Sequence, residues 1–459
     1  MSRMGRREFL KTSAVIGAGY WIAQSAHAGP SKSPNEKLNI GVIGAGGRGA
    51  GNTAGCASEN IVALCDVDQR NLAKAAERFP QAKTYRDWRK LLDQKGIDAV
   101  IVSTTDHTHA PASVWAMRRG IHVYCEKPLA HSVYEARVVQ ETYKRTKVAT
   151  QMGTQIHAGD NYRRVVELVR SGVIGAVREV HVWCTRVGLP PGTTRPTEHP
   201  PVPEYLDWDL WLGPAPYRPY HPRYLPGCTT WEQWWDFGNG CLGDMGSHLI
   251  DLPFWALKLR DPVAVEADGA NRSDECYPQW LVARWEHPAT PDHPALTLTW
   301  YDGGKFPPSP EEPARDLGST PAAGKAKKPS RLDESGRLDL TKWGIGVMFV
   351  GSNGKIVADY SRRYILPADK FRDFEPPAPT IPPSKGHYQE WIDACKTGEP
   401  TLCNFDYSGK LIEANLLGAV AFRVGKRLQW DAKQLKALNA PEADKFIRRE
   451  YRAGWVLEG

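Results

Sequence analysis

The sequence has no apolar run near the ~20 residues that a membrane-spanning helix needs, so no permanent membrane anchor is expected. It has no CxxC and no Cys/His spacing of the zinc-binding kind, so no metal site is expected. Its nine cysteines are scattered and odd in number, which argues against a complete disulfide framework. Blocks of basic residues are missing as well. The net charge is +7, and the first 28 residues supply +3 of it through Arg3, Arg6, Arg7 and Lys11 against Glu8. Subtracting that +3 leaves +4 on the rest, a mild excess that gives no case for nucleic-acid binding. What remains is ordinary globular composition, with 41% hydrophobic and 24% charged residues, which excludes wholesale disorder. At roughly 100–200 residues per domain, 459 residues make two or three domains.

In the first 28 residues, Gly5-Arg6-Arg7-Glu8-Phe9-Leu10-Lys11 precedes a short apolar stretch from Ala14 to Ala23 and then Ala26-His27-Ala28, a small-x-small cleavage site. This resembles a twin-arginine export signal. That route carries folded proteins, which suits a chain that loads a soluble cofactor before export. It also suits cysteines that need not form bridges. The expectation is a periplasmic protein that uses the twin-arginine machinery. Ser31 to Lys37 then reads as a polar linker.

Leu38 to Ile43 is an apolar run of strand type and flows into Gly44-Ala45-Gly46-Gly47-Arg48-Gly49, which fits G-x-G-x-x-G. A small-residue helix follows from Ala50 to Cys56, and then a second strand-like run, Ile61 to Cys65, ends at Asp66. Asp66 lies twenty residues beyond Gly46, the spacing at which a carboxylate reaches the ribose hydroxyls of a dinucleotide. The glycines let backbone N–H groups approach a pyrophosphate at a helix N-terminus. Asp66 would repel a 2′-phosphate, so NAD is expected over NADP. The α/β alternation continues, and Ala99 to Ser103 is a buried strand followed by Thr104, Thr105 and His109. Next, His122 to Cys125 is a strand that ends in Glu126-Lys127-Pro128. In open α/β sheets ligands bind beyond the carboxyl ends of the strands. Gly44, Gly46, Arg48, Gly49, Asp66, Thr104, Thr105, His109, Glu126 and Lys127 are therefore the candidate cofactor contacts.

Taken in order, the glycine loop, Asp66, the Thr104-Thr105 strand end with His109, and Glu126-Lys127-Pro128 resemble the Gfo/Idh/MocA family. The likeness runs from about Asn39 to Val180 and resumes near Gly240. The resemblance implies an α/β Rossmann domain followed by an α+β domain with an open, mainly antiparallel sheet. It also implies a lysine of the Glu-Lys-Pro motif beside the nicotinamide, and a homo-oligomer built through the sheet.

Beyond Gln151 the pattern is one of segregated strands rather than βαβ units, with candidates at Val177–Arg186, Val263–Ala267, Trp280–Trp285, Ala295–Tyr301 and Val347–Val350. Gly351 to Gly354 reads as a hairpin turn. Two stretches break the pattern: 189–227, rich in Pro, Tyr and Trp, and 306–336, rich in Pro, Lys and Glu, which reads as a long surface loop or partner-contacting arm. Ten of the seventeen tryptophans fall between Trp183 and Trp300. Aromatic faces pack on pyranose C–H faces, so Trp231, Trp234 and Trp235, just before the next motif, are the candidate sugar-stacking residues. In that motif, Gly243-Asp244-Met245-Gly246-Ser247-His248, Asp244 and His248 stand at i and i+4 on one helix face. A carboxylate in that position can orient an imidazole that moves protons. The family likeness assigns catalysis here to Lys127, Asp244 and His248, and His157 is a further candidate for contact with substrate.

The expected organisation is a signal peptide over 1–28, a linker over 29–37, an NAD-binding Rossmann domain over 38–155, a substrate and oligomerisation domain over 156–430, and a tail over 431–459. The expected function is that of an exported NAD(P)-dependent oxidoreductase acting on a secondary hydroxyl of a sugar, glycoside or cyclic polyol, with the nucleotide staying bound through turnover. The alternative is a redox-neutral NAD-dependent glycoside hydrolase or lyase that works through a 3-keto intermediate.

Overall fold

The computed structural model describes residues 36–225, 227–270, 272–319 and 331–458. The expected signal peptide and most of the expected linker lie outside them.

Six short strands, β1 (Asn39–Ile43), β2 (Asn60–Cys65), β3 (Lys83–Tyr85), β4 (Ala99–Val102), β5 (His122–Cys125) and β6 (Thr150–Met152), form one sheet in the order β3-β2-β1-β4-β5-β6. Every pairing in it is parallel. Parallel strands are covered by helices on both faces, so their sequences are continuously apolar. Ile40, Val42 and Val100 to Val102 are fully buried. This is the doubly wound order of a dinucleotide-binding domain.

The second sheet has ten strands: β7 (Val177–Cys184), β8 (Ala264–Gly269), β9 (Leu281–His287), β10 (Leu296–Tyr301), β11 (Arg315–Ser319), β12 (Ile345–Gly351), β13 (Lys355–Ala358), β14 (Arg362–Leu366), β15 (Leu428–Asp431) and β16 (Lys436–Ala437). Their order is β11-β14-β13-β12-β7-β10-β9-β8-β15-β16. All neighbours are antiparallel except β7 and β10. Buried and part-exposed residues alternate along β9 and β10, as in a sheet that packs on helices through one face. The 20-residue helix Phe405–Val424 is buried almost all round, because it lies between this sheet and the Rossmann helix Val133–Thr146. It starts at Asn404, whose side chain accepts from the Asp406 and Tyr407 N–H groups, and it stops at Gly425 in a left-handed conformation.

The C-terminal residues turn back onto the first domain. Arg449 and Tyr451 both bond the buried Glu135, and Trp455 packs on Trp88, which in turn meets Trp115 edge-on at 5.3 Å. Within the expected 306–336 loop, Arg315–Ser319 adds an edge strand to the sheet. All nine cysteines are free thiols. Among the described residues no helix is long and apolar enough to cross a membrane.

Candidate active site

β1 runs into the glycine turn, and the helix Gly47–Gly55 follows it with Gly46 as its N-cap. Gly44 has a φ of +87° and lies so close to Ser103 that a Cβ would strike the Ser103 carbonyl. A Cβ on Gly49 would strike the Gly44 carbonyl, so that glycine lets the helix pack on the turn. Asp66, at the end of β2, is 9% exposed. Its Oδ2 accepts from the Ala45 N–H at 3.0 Å and the Gly46 N–H at 2.9 Å, and its Oδ1 accepts from the Asp68 N–H at 2.9 Å. Burial raises this carboxyl above its ordinary range, and the three N–H groups offset only part of the rise.

These residues line a cavity of about 730 Å³, together with Arg48, Thr104 and Thr105. The proline- and aromatic-rich stretch roofs it. Leu206 forms a β-bridge with Asp68, the Gln69 N–H donates to the Tyr205 carbonyl at 2.9 Å, and the Arg70 guanidinium lies 3.5 Å from the Tyr205 ring centre. Cys228 and Trp231 complete the lining. A concave site of this size, with a glycine-loop helix terminus and a fixed carboxylate, fits a dinucleotide.

Next to the cavity is a knot of buried charges. Lys127, at the end of β5, forms an ion pair with Asp244 of the helix Gly240–Leu249. Arg186, just past β7, bonds the same Asp244 and also reaches Glu232 at 2.8 Å. Glu232 is 1% exposed, and one of its oxygens has no partner. Burial pushes its carboxyl up to about 7, against the pull of Arg186 and Lys127. Asp106, fully enclosed beside Lys127, is raised well above the carboxylate range by burial. Cys228, Glu232 and Asp244 hold potential ligand atoms within 4.8 Å of one another, but Lys127 and Arg186 already neutralise the carboxylates, so the cluster is an ion-pair network.

His248 stands one helical turn beyond Asp244, but the two side chains do not bond. The carboxylate is taken by Lys127 and Arg186, and the His248 Nδ1 has no partner. Burial, and then the nearby Lys127 and Arg48 charges, hold His248 well below the usual imidazole range. It is a neutral proton acceptor at neutral pH. Its ring meets Tyr360 edge-on at 6.3 Å. Tyr360 lines a second cavity of about 430 Å³, with Arg186 and Met245 also in its wall. The charged knot therefore borders both cavities, through Cys228 on the larger and Arg186 on the smaller, while Lys127, Asp244 and His248 themselves line neither.

Gly44, Gly46, Arg48, Asp66, Thr104 and Thr105 all line the larger cavity, as do Gly47 and Thr108, which sequence reasoning passed over. Other expected contacts are corrected. Glu126 is 5% exposed and caged by Arg48, Asn52 and Gln155, so it clamps the glycine-loop helix to β5 instead of facing a ligand. His109 is enclosed between the Thr104 and Pro128 carbonyls at 3.0 and 2.7 Å, a strut joining two strand-end loops. Trp234 and Trp235 are 2% and 3% exposed and offer no face to a sugar. Trp234 packs on Tyr224 and Arg218, Trp235 on Tyr277 and Arg423. Trp231 lines the larger cavity, not the smaller one. His157, 1% exposed, is bonded to Asp251 at 2.9 Å and stacked on Trp255 at 4.0 Å, so it is part of the interior.

The architecture and this site define a two-domain, dinucleotide-binding protein. Two profiles of one family match the chain in succession: the NAD-binding Rossmann fold of the Gfo/Idh/MocA oxidoreductase family over residues 11–154, and its C-terminal alpha/beta domain over residues 162–287. The chain belongs to that family, and its first domain is the family's NAD-binding Rossmann fold.

Among its relatives, a "Glycosyl hydrolase family 109 protein" of Stenotrophomonas maltophilia is 33% identical over 195 residues, 38% of this chain and 41% of the relative. An "Inositol 2-dehydrogenase" of Rubrobacter xylanophilus is 31% identical over 173 residues, 36% of this chain and 48% of the relative. The chain thus spans less than half the length of either curated relative. Among solved structures, levoglucosan dehydrogenase in complex with NADH and levoglucosan is similar at 17% identity with a TM-score of 0.52, covering 86% of this chain and 99% of that one. The WlbA dehydrogenase of Chromobacterium violaceum, in complex with NADH and UDP-GlcNAcA, is 16% identical with a TM-score of 0.57, covering 88% and 99%. These two likenesses are of fold.

Proposed function

We propose that the protein is an exported NAD-dependent oxidoreductase that oxidises a secondary hydroxyl of a sugar, glycoside or cyclic polyol. The observation that carries this reading is the ion pair of Lys127 with Asp244, part of a charged knot that borders the dinucleotide-shaped cavity through Cys228 and a second, polar cavity through Arg186. NAD, when bound, supplies the hydride acceptor. The Ala45 and Gly46 N–H groups are taken by Asp66, so the N–H groups at the start of the helix Gly47–Gly55 would hold its pyrophosphate, and Asp66 would accept from its ribose hydroxyls. Lys127 polarises the substrate oxygen. His248, neutral and with an open ring nitrogen, takes the hydroxyl proton as the alcohol becomes a ketone. Asp244 keeps the Lys127 ammonium in place. The roof from Tyr205 to Trp231 favours a nucleotide that stays bound through turnover. Export by the twin-arginine route and association of copies through the ten-stranded sheet belong to the same reading.

The glycosyl hydrolase family 109 relatives favour a second reading, in which oxidation at C3 of a glycoside acidifies the C2–H, the aglycone leaves C1 by β-elimination, water adds across the C1–C2 double bond in a hydrolase, and the hydride is returned to the C3 ketone. Such a path needs one more proton-holding group, and Glu232 titrates near neutrality beside the knot. Incubating the NAD-loaded protein with free sugars and aryl glycosides separates the two. Net NADH formation supports the dehydrogenase. Aglycone release without net NADH supports the hydrolase or lyase.

A further inference from the structure

The smaller cavity is rich in hydrogen-bond donors and poor in acceptors. Arg186, Arg331 and Arg362 line it, with Asp359 as the one carboxylate in its wall. Arg362 is 4% exposed, and its Nε and Nη1 have no hydrogen-bond partner. Asp359 approaches Arg362 only at 3.5 Å, because its Oδ1 is bonded by the Ser361 and Arg362 backbone N–H groups at 2.7 and 2.8 Å. The Trp343 indole N–H, in the same wall, is also unpartnered. Arg331 donates to the Lys342 carbonyl and meets no carboxylate among the described residues. Arg186 uses one nitrogen for both Glu232 and Asp244 and keeps 28% of its side chain exposed. A buried guanidinium with unmade hydrogen bonds is costly, and a planar anion with two oxygens is the group that best relieves it.

We propose that the substrate of this site is an anionic sugar, with a carboxylate seated against Arg362 and Arg331 while its reacting hydroxyl lies toward His248 and Lys127. This rests on the oxidoreductase reading for the hydroxyl end and on the arginines alone for the acidic end. A guanidinium fork accepts a carboxylate in bidentate fashion, so a uronic acid or its glycoside is the favoured chemistry over a sugar phosphate.

The test is calorimetric binding to the NAD-loaded full-length protein, using methyl glucuronide, methyl glucoside and glucose 6-phosphate, with NADH formation followed in parallel. Methyl glucuronide should bind at least ~10-fold more tightly than methyl glucoside. Arg362→Gln should weaken the glucuronide by about 10–100-fold and leave the glucoside within about twofold. Arg331→Gln, at an exposed position that tolerates change, should weaken it by a few-fold, and added salt should do the same. Retained NAD binding and an unchanged melting profile show that the variants are folded; if Arg362→Gln fails this check, Arg331→Gln and the salt series decide. Preference for glucose 6-phosphate with the same arginine dependence would overturn the carboxylate assignment in favour of a phosphate. Equal binding of glucuronide and glucoside, no dependence on either arginine, or no binding of either anion at millimolar concentration would overturn the proposal. Arginine-dependent binding without NADH formation on any sugar would instead count against the dehydrogenase reading alone.

Discussion

Asn at position 244 keeps the shape of the aspartate and removes its charge. In the native site Asp244, with a side chain only 5% exposed, receives both the Lys127 ammonium and an Arg186 N–H. Asp244→Asn leaves these two cations against a neutral amide, with the raised carboxyls of Glu232 and Asp106 as the neighbouring groups that can compensate. Removing one partner of a buried ion pair costs ~3–5 kcal/mol, mostly from the charge left behind. Lys127→Met is the milder change, since Asp244 keeps Arg186, and the loss of one charged hydrogen bond costs roughly 1.5–3 kcal/mol. Urea unfolding of the two variants, each without added NAD, should therefore rank Asp244→Asn below Lys127→Met by roughly 2 kcal/mol. The double variant should lose less than the sum of the two, because Lys127→Met removes one of the stranded cations. The deficit of Asp244→Asn should also shrink as pH rises toward about 7 and level off above it, because without Asp244 the two cations draw Glu232 into its ionised form at lower pH than in the native protein. Equal stability of the two single variants, or a native-like Asp244→Asn at every pH, would refute the knot as the structure draws it.

Asp66→Ala should weaken NAD and relax its preference over NADP by roughly 1–3 kcal/mol, read by titrating both nucleotides; tighter NADP binding by the native protein would contradict the assignment. His248→Ala should lower turnover by ~10²–10⁴-fold and spare NAD affinity, and the Lys127→Met/His248→Ala double variant should be little worse than either single change. His287, 3% exposed on β9, is pushed down to about 3 by burial. A histidine depressed in the folded state gives stability that is full above about 6.5 and is lost as pH falls toward 3. Between pH 6.5 and 5 that loss is about 2 kcal/mol, so melting of His287→Leu should be less acid-sensitive than that of the native protein by that much. Replacing Arg6 and Arg7 by Lys should trap the precursor in the cytoplasm, as cell fractionation would show; normal export of that variant would count against the signal.

The parts of the site that are contiguous in the chain were legible in the sequence. The glycine turn, Asp66 and the Thr104-Thr105 strand end each sit where one strand hands over to the next turn, and local pattern carries that information. What escaped was set by contacts between distant residues. Arg186 and Glu232 reach Asp244 across separations of 58 and 12 residues from two different elements, and nothing local marks either as part of the site. The roof over the larger cavity is tied down by contacts between distant residues, the Asp68–Leu206 β-bridge and the bonds of residues 67–70 to residues 205–207. Trp234 and Trp235 misled because an aromatic cluster before a catalytic motif fits a cleft as well as a core. The pairing of Trp234 with Cys276, and of the Trp235 N–H with the Glu275 carbonyl, turns that segment inward. In the second sheet, Lys355–Ala358 and Arg362–Leu366 are too short to stand out, and their pairing with β12 and with each other makes them strands.

The central claim is that Lys127 and its partners present a sugar hydroxyl to a nucleotide held in the roofed cavity. The most direct measurement loads native protein and Lys127→Met with NAD, confirms equal nucleotide content by mass, and follows the NADH absorption band as neutral and acidic sugars and glycosides are added. The account expects at least one sugar to reduce the bound nucleotide in the native protein, at a rate that falls by ~10²–10⁴-fold in Lys127→Met. Reduction at the native rate in Lys127→Met would contradict it. So would a native protein that binds NAD fully and yet neither reduces it with any sugar nor releases an aglycone from any glycoside.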